Sequence, residues 1–119
     1  MRVACRTFGC KADVPPELEA EGLCVLHFTV TIEQGCAEMR RETVTQPASG
    51  ERREEIERYI CEQGEKLARV STSGLRLPDE MKARILSTFL TLMNLRENVE
   101  RAAARSAQLA GMPASTAKP

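Results

Sequence analysis

Four residues near the N-terminus carry the side chains best able to do chemistry: Cys5, Cys10, Cys24 and His27. They fall as two close pairs in the pattern C-x4-C-x13-C-x2-H, with Arg-Thr-Phe-Gly inside the first pair and Val-Leu inside the second. Thiolate and imidazole donors delivered as two pairs from two local turns are what a tetrahedral zinc ion takes. The first pair suits a knuckle, a tight turn whose amides point at the sulfurs, and Gly9 supplies the backbone freedom such a turn requires. The second pair suits the first turn of a helix. There, positions i and i+3 share a face and the positive end of the dipole favours a thiolate at Cys24. The chemistry read from these residues is one structural Zn2+ per chain, closed by four protein ligands. The competing reading is that the four are merely buried side chains.

Energetics favour the metal. A module of 45 residues, the N-terminal part ahead of the first turn-forming stretch, is near the size at which a core alone is marginal. Structural zinc contributes on the order of 10 kcal/mol to such modules. The chain has five cysteines, an odd number that fits a disulfide framework poorly. No apolar targeting run precedes Cys5, and no apolar stretch approaches the roughly 20 residues that span a bilayer. Both features predict a cytoplasmic protein with reduced thiols and no membrane partner.

The elements that must position these residues are predicted to be helical. Aromatics are only 3% of the chain, so the core must come from Leu, Ile, Val, Met and Ala, a set that favours helices. Beyond His27, the residues Phe28, Ile32, Cys36 and Met39 recur at helical steps. The alternation in Phe28-Thr29-Val30-Thr31-Ile32 offers a strand as the lesser alternative. Gln46-Pro47-Ala48-Ser49-Gly50 then reads as a linker. After it come two long helices. Ser49 caps the first, Ser73-Gly74 ends it, and Ile56, Ile60, Leu67 and Val70 form its apolar stripe, with Cys61, Gly64 and Ala68 in a second row of small residues. Asp79 is the expected cap of the second, which carries Met81, Ile85, Phe89, Leu92 and Val99 and runs to about residue 108. Leu86, Leu90, Met93 and Leu95 widen its apolar surface around Ser87–Leu95, more than one neighbouring helix can cover. The organisation predicted is a zinc module with its helix over 1–45, a linker at 46–50, a helical hairpin over 51–110 and a disordered tail over 111–119. The fold class is mainly α.

The segments Cys5-Arg6-Thr7-Phe8-Gly9-Cys10-Lys11 and Gly22-Leu23-Cys24-Val25-Leu26-His27-Phe28 resemble a short treble-clef zinc finger. The likeness covers about residues 3–35. It implies a knuckle holding Cys5 and Cys10, a short hairpin, and a helix start holding Cys24 and His27. Val14-Pro15-Pro16-Glu17 departs from the family's hairpin, because proline breaks a regular strand. The family spans nucleases, nucleic-acid binders and protein-interaction modules, so the resemblance fixes no function.

Composition narrows the choice. The only histidine is His27, which the zinc reading uses, so no general base of that type is left for catalysis and the expectation is a non-catalytic protein. Net charge is zero, which argues against nucleic acid, although Arg40-Arg41, Arg52-Arg53, Lys82, Arg84, Arg96, Arg101 and Arg105 keep it as the alternative. The leading expectation is an interaction or regulatory module that meets a protein partner, or a second copy of itself, through the surface around Ser87–Leu95. Cys36 reads as a core residue; Cys61, off its helix's main stripe, reads as either packed or exposed.

Overall fold

The computed structural model describes residues 3–109; the tail expected over 111–119 lies outside them. The fold is mainly helical, with α1 (Val25–Thr45), α2 (Gly50–Thr72) and α3 (Asp79–Leu109), and with one 3-10 turn at Pro16–Leu18 ahead of α1. Residues 28–32 belong to α1, so helical spacing prevails over the β-branched alternation there.

Helix boundaries follow local chemistry. Ser49 Oγ accepts from the Arg52 N–H at 3.1 Å, with Glu51 in the first turn of α2. Gly74, in the left-handed region at φ 86°, stops the chain from continuing that helix. α1 ends where Gln46 turns extended before Pro47, whose ring disfavours a helical predecessor. At α3 the expected cap shifts by one residue. Asp79 is itself helical, and the Pro78 carbonyl accepts from the amides of Met81 and Lys82, both at 3.0 Å.

α3 is the shared spine: α1 packs along one side of it and α2 along another, while α1 and α2 meet only slightly. The core joins Phe28, Ile32 and Cys36 of α1, the whole expected stripe of α2, and Ile85, Leu92, Leu95 and Val99 of α3. Leu18 and Leu23 plug the same core from the N-terminal segment, so that segment is packed onto the helices. Where α1 and α2 do meet, Gly35 makes room: a Cβ there would lie 2.5 Å from the Tyr59 hydroxyl oxygen.

A polar seam fixes α1 against α3. Arg84 donates to Thr29 Oγ1 at 2.9 Å and to Glu33 Oε1 at 2.8 Å, and Thr88 Oγ1 donates to the Glu33 carboxylate at 3.2 Å. Thr29 and Thr88 are both fully buried. Both hydroxyls also donate within their own helices, Thr29 to the Leu26 carbonyl at 2.6 Å and Thr88 to the Arg84 carbonyl at 2.8 Å, so the Arg84 guanidinium is the group that ties α1 to α3 in this register.

The broad apolar surface of α3 is covered only in part. Leu95, at 2% exposure, is in the core, whereas Leu86, Leu90 and Met93 remain 62%, 58% and 41% exposed. No helix among the described residues is long and apolar enough to cross a membrane.

Candidate metal centre

The site is assembled by three hydrogen-bonded devices. An antiparallel bridge pairs Ala4 with Asp13, and the Cys5 amide donates to the Ala12 carbonyl at 2.9 Å, so the chain doubles back around the first ligand pair. The Cys10 amide donates to the Thr7 carbonyl at 3.0 Å, closing the knuckle, and Gly9 sits at φ 81° as the turn demands. The Arg6 amide then donates to the Gly22 carbonyl, and Arg6 Nε to the Glu21 carbonyl, both at 2.9 Å. These bonds bring the knuckle to the residues just before α1. Lys66 of α2 pairs with Glu21 at 2.6 Å, fastening the same loop to the helices.

Cys24 is the N-cap of α1. Its sulfur accepts from the His27 amide at 3.5 Å, the bond that a serine oxygen makes at other helix starts. One turn on, the His27 ring lies beside it, with Nδ1 3.3 Å from Cys24 Sγ and 3.5 Å from Cys5 Sγ. Cys10 Sγ is 3.9 Å from Cys24 Sγ, and one donor atom from each of the four residues lies within 4.8 Å of the others.

These distances discriminate between chemistries. A disulfide requires sulfurs about 2.05 Å apart, and all five cysteines are free thiols. In a tetrahedron with metal–sulfur bonds of about 2.3 Å and metal–nitrogen bonds of about 2.05 Å, the edges are about 3.8 Å for S···S and 3.6 Å for S···N. The observed 3.9 Å and the 3.3 and 3.5 Å separations match those edges. Four side chains therefore stand close enough to hold a metal ion.

The electrostatics of the cluster are conflicted, as three thiols in one place must be. Burial opposes ionisation of Cys5, but hydrogen bonds from the Thr7 side chain, from the Cys24 and Thr7 backbone and from His27 outweigh it and bring the thiol down to about 5. Cys24 goes the other way, up to about 11, through burial first and then through its neighbours Cys5 and Cys10. A divalent cation among the sulfurs removes the conflict, because metal ligation deprotonates thiols outright. With three thiolates, a neutral imidazole and a divalent ion, such a site would carry one net negative charge at the positive end of α1.

The four residues expected to be ligands are the four that the fold gathers. Cys36 is not among them: it sits nine residues beyond His27 in the core at 3% exposure, its thiol raised to about 11 by burial and by Glu33. Cys61 is exposed and donates to Glu57 at 3.4 Å. Two features escaped the sequence reading. Phe8, at the tip of the knuckle, is wholly exposed, unusual in a chain with so few aromatics. The Glu33–Arg84 seam joins residues 51 apart, beyond the reach of any local pattern.

Comparison of the chain with protein-family models, with curated proteins and with solved structures found no match in any of the three.

Proposed function

We propose that this chain is a zinc-stabilised, non-catalytic interaction module: a treble-clef-like knuckle pins the N-terminal segment, and α3 offers the contact surface. The observation that carries the reading is the convergence of three sulfurs and one imidazole nitrogen within 4.8 Å of one another. Sulfur-rich donors at these lengths favour zinc over calcium or magnesium, which take oxygen. Four protein ligands leave no open coordination position for water or substrate, so the metal's role is structural. The ions around the cleft of about 450 Å³ between α2 and α3, among them Arg53, Glu57, Arg96 and Glu100, suit solvation and mutual pairing, with Arg96 on Glu57 at 2.6 Å. That cleft is lined by no Ser, Thr, Cys, Lys or His.

A protein partner is favoured over nucleic acid because several of the cations are already engaged. Arg52 pairs with Glu42 and Glu55, Arg84 with Glu33 and Arg96 with Glu57. An uncovered stripe of Leu86, Leu90 and Met93 is the kind of surface that meets another polypeptide.

Cobalt titration of the metal-free chain tests the site. One equivalent of Co2+ is expected to give the intense visible bands of tetrahedral thiolate coordination, and one equivalent of Zn2+ to bleach them. Weak octahedral bands would contradict it. Thiol counting gives a second expected result. In the zinc-loaded protein only exposed Cys61 should react readily with an aromatic disulfide reagent, while Cys36 stays protected by burial. Chelation should add Cys5, Cys10 and Cys24. An unchanged count after chelation would speak against metal protection.

A further inference from the structure

We propose that the occupant of the exposed α3 face is a second copy of this chain, packed antiparallel through a two-fold axis at Leu90. The inference rests on the reading of α3 as the contact surface and names the partner.

The face is self-complementary in the order of its apolar and charged residues. Lys82, Leu86, Leu90, Met93 and Glu97 follow one another at steps of four, four, three and four, so they share one stripe of the helix. All five are exposed. The centre of the stripe is apolar, one end is cationic and the other anionic. An antiparallel two-fold through Leu90 sets that residue against its own copy, Leu86 against Met93 of the second copy, and Lys82 against Glu97 of the second copy. The ion pair forms twice, as in any isologous interface. Within the chain neither Lys82 nor Glu97 has an ion-pair partner among the described residues. One turn further out, Asp79 comes opposite Arg101 of the second copy, and both are exposed. Glu100, the acid that would spoil this match, is turned toward α2, where it lines the cleft with Arg53 and Arg96.

The neighbouring surface admits such a partner. Met93 and Cys61 both touch the Arg96 side chain, at 3.7 and 3.9 Å, so the α2 face bearing Cys61 borders the stripe. By helical spacing that face continues through Gly64 and Ala68, and the space where a Gly64 Cβ would stand is open. Small residues on one border and leucines on the other let a crossing helix approach closely, giving a four-helix arrangement of α2 and α3 from each copy.

The test is sedimentation analysis of the full zinc-loaded chain over a range of concentrations, with zinc content and circular dichroism recorded on every sample. The wild type is expected to dimerise, and Leu90→Glu to be monomeric with its helices and zinc intact. Lys82→Glu and Glu97→Lys should each weaken association about tenfold, since two exposed attractions become repulsions. The double variant Lys82→Glu/Glu97→Lys should regain wild-type association, because in the antiparallel dimer the reversed charges again face each other. A wild type that stays monomeric at millimolar concentration, a dimer indifferent to Leu90→Glu, or a double variant that stays weak would overturn the proposal. In a zinc-bearing sample each of these sinks the self-pairing alone; a sample without zinc sinks the reading of the metal centre instead.

Discussion

Cys24→Ser is expected to abolish stoichiometric zinc binding and to lower stability by on the order of 5 kcal/mol, about half of what a structural zinc supplies. The position is unusually consequential because one sulfur serves three ends. It is a ligand candidate, it caps α1 through the His27 amide, and at 5% exposure it belongs to the core. Serine retains the cap and nearly the volume, so the loss isolates the metal. Cys10→Ser, at a half-buried position without a capping role, should give a similar loss. Chemical denaturation followed by circular dichroism checks both. A change below about 1 kcal/mol in each variant would mean that the helices stand without the ion.

The damage should be graded along the chain. Residues 3–24 are held by isolated backbone bonds around the knuckle, by Leu18 and Leu23 in the core and by Lys66 on Glu21. Without the proposed ion, the apolar plugs and one ion pair are what still tie the segment to the helices, and its internal backbone bonds lose their anchor. The amides of Cys5, Cys10 and Val14 should then exchange with solvent well before those of α2 and α3.

Leu92→Ala is the second large effect, expected to cost about 2–5 kcal/mol, while Leu90→Ala should change the fold of the monomer by less than about 0.5 kcal/mol. Two residues apart on the same helix, the leucines differ in what covers them. Leu92 is fully buried in the core that the three helices share, and its truncation leaves a cavity. Leu90 is 58% exposed and leaves none. Urea midpoints measured at concentrations where the chain is monomeric would read the contrast. Equal costs at the two sites would mean that α3 is rotated from the orientation described. With dimerisation as proposed, Leu90→Ala weakens association while sparing the fold.

Much of this architecture is legible in the residues. The stripe Ile56, Ile60, Leu67, Val70 is periodic, and every member is buried. Ser49 and Gly74 mark the ends of α2 because their chemistry acts locally, through one side-chain hydrogen bond and one positive φ. The two Cys/His pairs are legible for the same reason, each needing only a knuckle or a helical turn. Their convergence is less so, since it depends on the Ala4–Asp13 bridge and on Arg6 reaching Gly22, contacts that no periodicity announces.

The side of α3 left open was not legible either. Leu86, Leu90, Met93 and Leu95 all widen its apolar surface in the sequence, but only Leu95 is turned inward. That choice is made by the rotation of α3 between its two neighbours, fixed on the α1 side by Arg84 and Thr88 gripping Glu33. Together with the burial of Ile85, Leu92, Leu95 and Val99, this seam between residues far apart in sequence leaves Leu86, Leu90 and Met93 facing water.

The central claim is that one zinc ion on Cys5, Cys10, Cys24 and His27 holds the N-terminal segment to the helices. Elemental analysis of protein purified under reducing conditions, with circular dichroism and thermal unfolding before and after chelation, tests it most directly. The account predicts one zinc per chain, with a clear fall in the unfolding temperature on chelation that added Zn2+ restores. Protein without metal, with its helices and unfolding temperature indifferent to chelator and to added Zn2+, would contradict it.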